Sequence, residues 1–482
     1  MPITSLPSEI LAHIFHLVAK PCDLIVVPKR EPVSWNSTSS EGSSADSERR
    51  LKKIWHLKNF PTHLDNLTHV CSHWRQIAIA TPSLWTHIDI LPHESLHRGL
   101  LARAETYVTR ATQLPIKLHV ADTIRFGYSD ASFGQFLSSV SSRVESLDVA
   151  VIYGRRSFHD FIFAKLFSPH TTRSKNFTKL TTNFAMVVDR INEFITPFDV
   201  TDDAFHFTTL HLGGLFPCWD SKVYYNLVDL RLQTAPHYEH WTRIREQELR
   251  IILEASPRLQ IFHFALLITN RQRDDESVIP VRLNDLAVLS IFTDRDELDP
   301  ILKPGHVLRL LAPGSKPLRL SLWHNFHVYD SNDDDIHLDD LSLNELAKFF
   351  QRSNLIKFCS KDECPQLDWL LSYASNLEDL TLDSCSPPLL PCSPVRSNNP
   401  ITPRLHSLIL QNCFLSLDQL EVILQQCPTG LLTLSKCNWT TGEIIFEAWN
   451  PVRRVSELLE RYPVTKLIFQ PSNPIWSWDF IE

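Results

Sequence analysis

A phrase of the form L-x-x-L-x-L returns down most of this chain, and it constrains the fold more than any other feature. Its clearest copies are Leu377-Glu-Asp-Leu380-Thr-Leu382-Asp-Ser-Cys385 and Leu405-His-Ser-Leu408-Ile-Leu410-Gln-Asn-Cys413, which superimpose at a shift of 28 residues. Leu432-Thr-Leu434-Ser-Lys-Cys437 follows 24 residues further on, and Leu467-Ile-Phe469 follows after another 35. Weaker copies stand at Val144/Leu147/Val149, Leu210/Leu212, Leu227/Leu230/Leu232, Leu259/Phe262/Phe264, Leu283/Leu286/Val288, Leu320/Leu322 and Leu355/Phe358. Alternate apolar residues mark a strand with one buried face. Helical phrases separate many copies: Gln247 to Ala255, Leu343 to Gln351, Leu367 to Ala374, Leu417 to Gln426 and Val455 to Tyr462. One strand plus one helix cannot cover its own apolar face, so neighbouring units must stack.

The expected fold class is therefore α/β: an irregular solenoid of parallel strands with helices on the convex side. The residues between the leucines are expected to point to solvent and form a candidate target-binding face: Glu378, Asp379, Thr381, His406, Ser407, Ile409, Thr433 and Lys466. Cys385, Cys413 and Cys437 recur at one place after their strands. The phrase resembles leucine-rich repeats, in which this position plugs the turn and bonds to backbone inside the coil, and that resemblance implies a structural role and not a ligand role for them.

Composition narrows the function. The chain has 482 residues and a net charge of −8, so it lacks the positive field that gathers nucleic acid. No uninterrupted apolar stretch of about 18 residues suits a membrane span, and the N-terminus lacks a signal-peptide pattern. The expected location is cytoplasmic, nuclear or both. The ten cysteines form no CxxC pair, and eleven glycines supply no phosphate-cradling loop. His237 with His240 lacks a third ligand, and the acids from Asp330 to Asp340 are contiguous and lack the central glycine of a calcium loop. No catalytic residue, cofactor or metal site is expected.

The first stretch departs from the repeat. Leu6-Pro7-Ser8-Glu9-Ile10-Leu11 opens a helix, with Leu6 at the N-cap and Pro7 at the first helical position. Apolar residues at 10, 11, 14, 15, 17 and 18 make its stripe too wide for one-sided packing. A Ser-rich, polar insertion at residues 28–55 has almost nothing to bury and reads as disordered. A second helix is expected over Leu67 to Ala78, capped by Asp65 or Asn66, followed by Thr81-Pro-Ser-Leu84-Trp85 and a strand at His87-Ile-Asp-Ile90.

These segments, LPSEILAHIFHLV and LTHVCSHWRQIAIATPSLWTHIDI, resemble the F-box in its form common among fungal F-box proteins. The likeness covers residues 5 to 20 and 64 to 90 and departs from the family in its long insertion. Such an insertion adds on the order of 1 kcal/mol of loop-closure cost, which leaves helix pairing possible. The resemblance implies an F-box-like helical domain at 1–92 and a degenerate leucine-rich-repeat domain at 93–482. It implies docking on a Skp-type adaptor, and through it a cullin, by Leu6, Pro7, Ile10, Leu11, Ile14, Leu67, Val70, Cys71, Trp74 and Trp85. The repeats would hold a target protein, making the chain a non-catalytic substrate-recognition subunit of a Skp–cullin–F-box ubiquitin ligase. The alternative is a leucine-rich interaction scaffold acting outside ubiquitin transfer.

Overall fold

The computed structural model describes residues 6–19, 63–90, 97–122, 131–151, 156–166, 177–184, 206–234, 242–271, 278–292, 302–324, 327–329, 336–338, 340–362, 364–385, 405–439, 451–462 and 466–470. The insertion at 28–55, His237 and His240, the acids from Asp330 to Asp339, and the terminal Trp476 and Trp478 lie outside the described residues. The chain forms two compact units: Met1–Val223 with Thr234–Thr242, and Tyr224–Gln233 with Arg243–Glu482. Among the described residues no helix is long and apolar enough to cross a membrane.

The first unit begins with helices α1 (Ser8–Val18), α2 (His63–Val70) and α3 (Ser72–Ile79), then a single 3-10 turn at Pro82–Trp85. Strands β1 (His87–Ile90), β2 (Ile116–Asp122), β3 (Val144–Val151), β4 (Lys179–Phe184) and β5 (Thr209–Gly213) follow. Between the first four lie α4 (His97–Arg110), α5 (Ala131–Val140) and α6 (Arg156–Leu166). All neighbouring pairs are parallel and in sequence order. The register sets Ile88, Leu118, Leu147, Leu180 and Leu210 in one buried lateral row, the continuous core that single units lack.

The second unit repeats the plan with β6 (Asp229–Gln233), β7 (Ile261–Ala265), β8 (Val288–Phe292), β9 (Pro317–His324), β10 (Asn354–Asp362), β11 (Asp379–Asp383), β12 (Leu405–Gln411), β13 (Thr429–Ser435) and β14 (Lys466–Gln470). These strands are again parallel and sequential. Leu230, Phe262, Leu289, Leu320, Phe358, Leu380, Leu408 and Leu432 form an unbroken row, fully buried. The expected shifts of 28 and 24 residues are the observed registers, Leu380 against Leu408 and Leu408 against Leu432. Both units are leucine-rich-repeat-like stacks of strand and helix.

Four expectations need correction. The copy proposed at Leu283/Leu286/Val288 is out of register: Leu286, Leu289 and Ile291 take the buried positions, and Leu283 belongs to a short outer strand, Val281–Leu283, paired with Leu311–Pro313. The last helix runs over Pro451–Leu459 and not from Val455, because proline fits a first helical position, where no N–H partner is required. The second N-terminal helix is two helices. Cys71 breaks it in an extended conformation and caps α3, its Sγ accepting from the Trp74 N–H at 3.5 Å, while Arg75 Nε donates to the Thr68 carbonyl at 2.9 Å. At α1 the observed N-cap is Pro7, one residue later than expected.

Two of the three repeated cysteines bond to backbone inside the coil as expected, while Cys385 Sγ contacts the Asp383 carbonyl of its own strand at 3.8 Å. Cys413 Sγ donates to the Leu382 carbonyl at 3.4 Å and Cys437 Sγ to the Leu410 carbonyl at 3.2 Å, each reaching back one coil. Directly before them, Ser384, Asn412 and Lys436 adopt left-handed backbone, which turns the chain out of the strand.

Candidate docking surfaces

Helix α1 divides its apolar stripe in two. Leu11 and Phe15 are buried, and Phe15 packs on Trp74 of α3 with ring centroids 5.1 Å apart. Ile10, Leu17 and Val18, at i, i+7 and i+8, remain exposed, with Ile14 half-buried beside them. Val70 on α2 and Ile79 on α3 are exposed as well. Five of the twelve large hydrophobic residues exposed among the described residues thus stand on these three short helices, a concentration far above scattered surface apolarity.

Of the ten residues named from the resemblance, Pro7, Ile10 and Val70 are exposed, and Leu6, Ile14, Cys71 and Trp74 are half-buried. Leu11, Leu67 and Trp85 lie inside. Trp85 is 0% exposed: its Nε1 donates to the Ala78 carbonyl at 2.8 Å, its ring meets Tyr107 edge-on, and Arg110 covers it at 4.3 Å. It closes the end of α3 and joins it to α4, so its apolar area stabilises the module from within. Sequence reasoning missed Leu17, Val18 and Ile79 as surface residues; for the first two, their spacing from Ile10 was the available signal.

On the second unit, Glu378, His406 and Lys466 are exposed and Ile409 is half-buried. The expectation of solvent exposure is corrected for Asp379, Thr381, Ser407 and Thr433, which are buried. Adjacent strands lie about 4.8 Å apart, so longer neighbours shield small side chains between them. Thr433, for example, sits between Ile409 and Ile468 in register. Asp379 pairs with Lys357 and with His406 Nδ1, the latter at 3.3 Å, and Lys361 lies 4.0 Å over the Trp323 ring. The polar positions of this face are partly occupied by one another.

A further constellation, absent from the sequence reading, joins β1 and β2 of the first unit. His87 and Asp89 share one face of β1, and register places His119 beside Asp89. Asp89 Oδ1 meets His119 Nδ1 at 2.9 Å and His87 Nε2 at 3.2 Å. Burial pushes the Asp89 carboxyl up, but hydrogen bonds from the two imidazoles outweigh it and hold the pKa at about 2. His119 is opposed by burial, yet its bond to Asp89 and the nearby Asp148 carboxyl raise its pKa.

No protein-family model matches this sequence, and no curated protein matches it. Among solved structures, an internalin from Listeria monocytogenes aligns at 13% identity, covering 82% of this chain and 89% of that one, with a TM-score of 0.28. Superposition that loose carries no argument, and the repeat architecture rests on the strand registers described above.

Proposed function

We propose that this chain is a non-catalytic protein-interaction scaffold, with α1, α2 and α3 docking on a Skp-type adaptor, and through it a cullin, while the strand faces hold a target protein. The observation that carries the reading is the uncovered apolar surface of Ile10, Leu17, Val18, Val70 and Ile79, on helices whose sequence resembles the F-box. A small helical module with part of its stripe buried and part exposed fits helix-in-groove recognition, in which the exposed apolar side chains act as anchors. In this reading Leu11, Phe15, Leu67 and Trp85 shape the module and do not touch the partner. Ubiquitin transfer would then depend on proximity, the scaffold raising the local concentration of a target lysine.

The test is binding of the full chain to purified Skp-type adaptor, with and without cullin, measured calorimetrically. Leu17→Asp and Val70→Asp change exposed positions and should preserve the circular dichroism spectrum. Together they should weaken adaptor binding roughly thirtyfold or more, the loss of about 2 kcal/mol typical of an anchor. Adaptor binding without cullin recruitment would favour the scaffold acting outside ubiquitin transfer. Undiminished adaptor binding by the folded double variant would remove the proposed surface.

A further inference from the structure

We propose that His87, Asp89 and His119 form a binding site for a single Zn²⁺ ion on the first two strands. Three observations converge on it. One donor atom from each residue lies within 4.8 Å of the other two, and the two separations involving Asp89 Oδ1 are 2.9 and 3.2 Å. Zinc bonds of about 2.0–2.2 Å to nitrogen and oxygen put tetrahedral ligand atoms about 3.3 Å apart, so a small outward turn of each ring admits the ion. The donor set, two imidazole nitrogens and one carboxylate oxygen, is one that zinc accepts while keeping a fourth position for water.

Secondary structure, not a loop, sets the geometry. His87 and Asp89 are two residues apart on β1, and Asp89 faces His119 across a parallel ladder, so backbone register fixes all three side chains. Asp89 and His119 are 6% and 7% exposed, whereas His87 is 27% exposed and supplies the path by which an ion enters. Deeper in the sheet Asp148 stands next to His119 in register on β3 and interacts electrostatically with both histidines. The Nδ1 atom of His87 is shielded and has no hydrogen-bond partner among the described residues, while Nε2 faces Asp89 Oδ1 at 3.2 Å and is the nitrogen placed to ligate. The two rings tilt by 42° with centroids 6.5 Å apart, an arrangement compatible with both facing one point.

The alternative is a carboxylate bridging two imidazoles with no ion, and it differs in measurable ways. Full-length protein stripped with a chelator is dialysed against Zn²⁺ and, separately, Co²⁺. The site predicts one tightly bound equivalent of zinc and a cobalt spectrum with visible d–d bands but no thiolate charge-transfer band, which separates it from the cysteines of the second unit. His87→Ala, at a half-buried position, should keep the fold and lower zinc affinity by at least about tenfold, with Asp89→Asn as a second variant. Cys413→Ala should leave uptake unchanged. Sub-stoichiometric zinc binding, a thiolate band, or unaltered affinity in both folded ligand variants would overturn the assignment.

Discussion

Arg103 Nε donates to Asp65 Oδ2 at 2.7 Å, fastening α4 to α2. The Tyr107 hydroxyl completes the link, accepting from Arg103 Nη2 at 2.7 Å and donating to Asp65 Oδ1 at 2.9 Å. Tyr107 also takes the edge of Trp85, whose indole closes α3. The helices that expose apolar surface are thereby anchored to the first strand–helix unit rather than tethered loosely in front of it. For the docking role proposed above such anchoring would matter, since a surface held in one orientation loses less entropy on binding.

Removing the hydroxyl tests this linkage. Tyr107→Phe keeps the ring against Trp85 but deletes two hydrogen bonds to charged partners, and should cost about 1.5–3 kcal/mol of stability. In an Asp65→Ala background the same change should cost much less, because the acceptor is already gone. Urea unfolding followed by tryptophan fluorescence measures both. Equal costs in the two backgrounds would mean that the three groups do not act as a unit.

The buried leucine rows were the legible part of this fold, because a period-two strand with one buried face writes its pattern directly into the sequence. Leu380, Leu408 and Leu432 announced their register; Ile116, Leu118 and Val120 of β2 and Leu180 and Thr182 of β4 were passed over, since isoleucine, valine and threonine fill the same positions without the leucine signature. Irregular spacing hid the true register of Leu289, as an outer strand contributed its own apolar residues just upstream. At the candidate sites, composition showed that the first helices carried excess apolar surface but not which part a neighbour would cover. Phe15 chose its side by stacking on Trp74, a contact between segments separated by the insertion. His119 joined His87 and Asp89 only through strand pairing, which no local spacing reveals.

Acid should weaken the first unit through His159 of α6. This imidazole is fully buried, and burial lowers its pKa to about 3. The unfolded chain takes up a proton near pH 6.5, while the folded ring stays neutral until about pH 3. Between those values the unfolded state binds more protons, so stability falls as pH falls, by about 1.4 kcal/mol per unit for this one group. His159→Leu keeps an apolar side chain of similar bulk and should flatten the dependence of the urea midpoint between pH 6 and pH 4 relative to wild type. An unchanged slope in the variant would assign the acid sensitivity to other groups.

The last prediction concerns the turn that follows each strand. Ser384, Asn412 and Lys436 occupy equivalent places with φ of 59°, 51° and 52°. The first two carry short polar side chains that bond to Asp383: Ser384 Oγ to its carboxylate at 3.0 Å, and Asn412 Nδ2 to the same oxygen at 2.7 Å. The Ser384 bond is local and the Asn412 bond crosses to the neighbouring strand, and each gives a short polar side chain a partner in the left-handed conformation. Lys436 is exposed, with a long side chain that gains nothing comparable from the conformation, and the left-handed region costs an ordinary residue roughly 1–2 kcal/mol. Glycine removes that penalty but adds about 0.5–1 kcal/mol of unfolded-state entropy. Lys436→Gly should therefore stabilise the second unit by about 0.5 kcal/mol, whereas Asn412→Gly should destabilise it because the bond to Asp383 is lost. Thermal unfolding of the two variants against wild type should move the midpoint in opposite directions; a shift of the same sign in both would mean that backbone strain does not distinguish these turns.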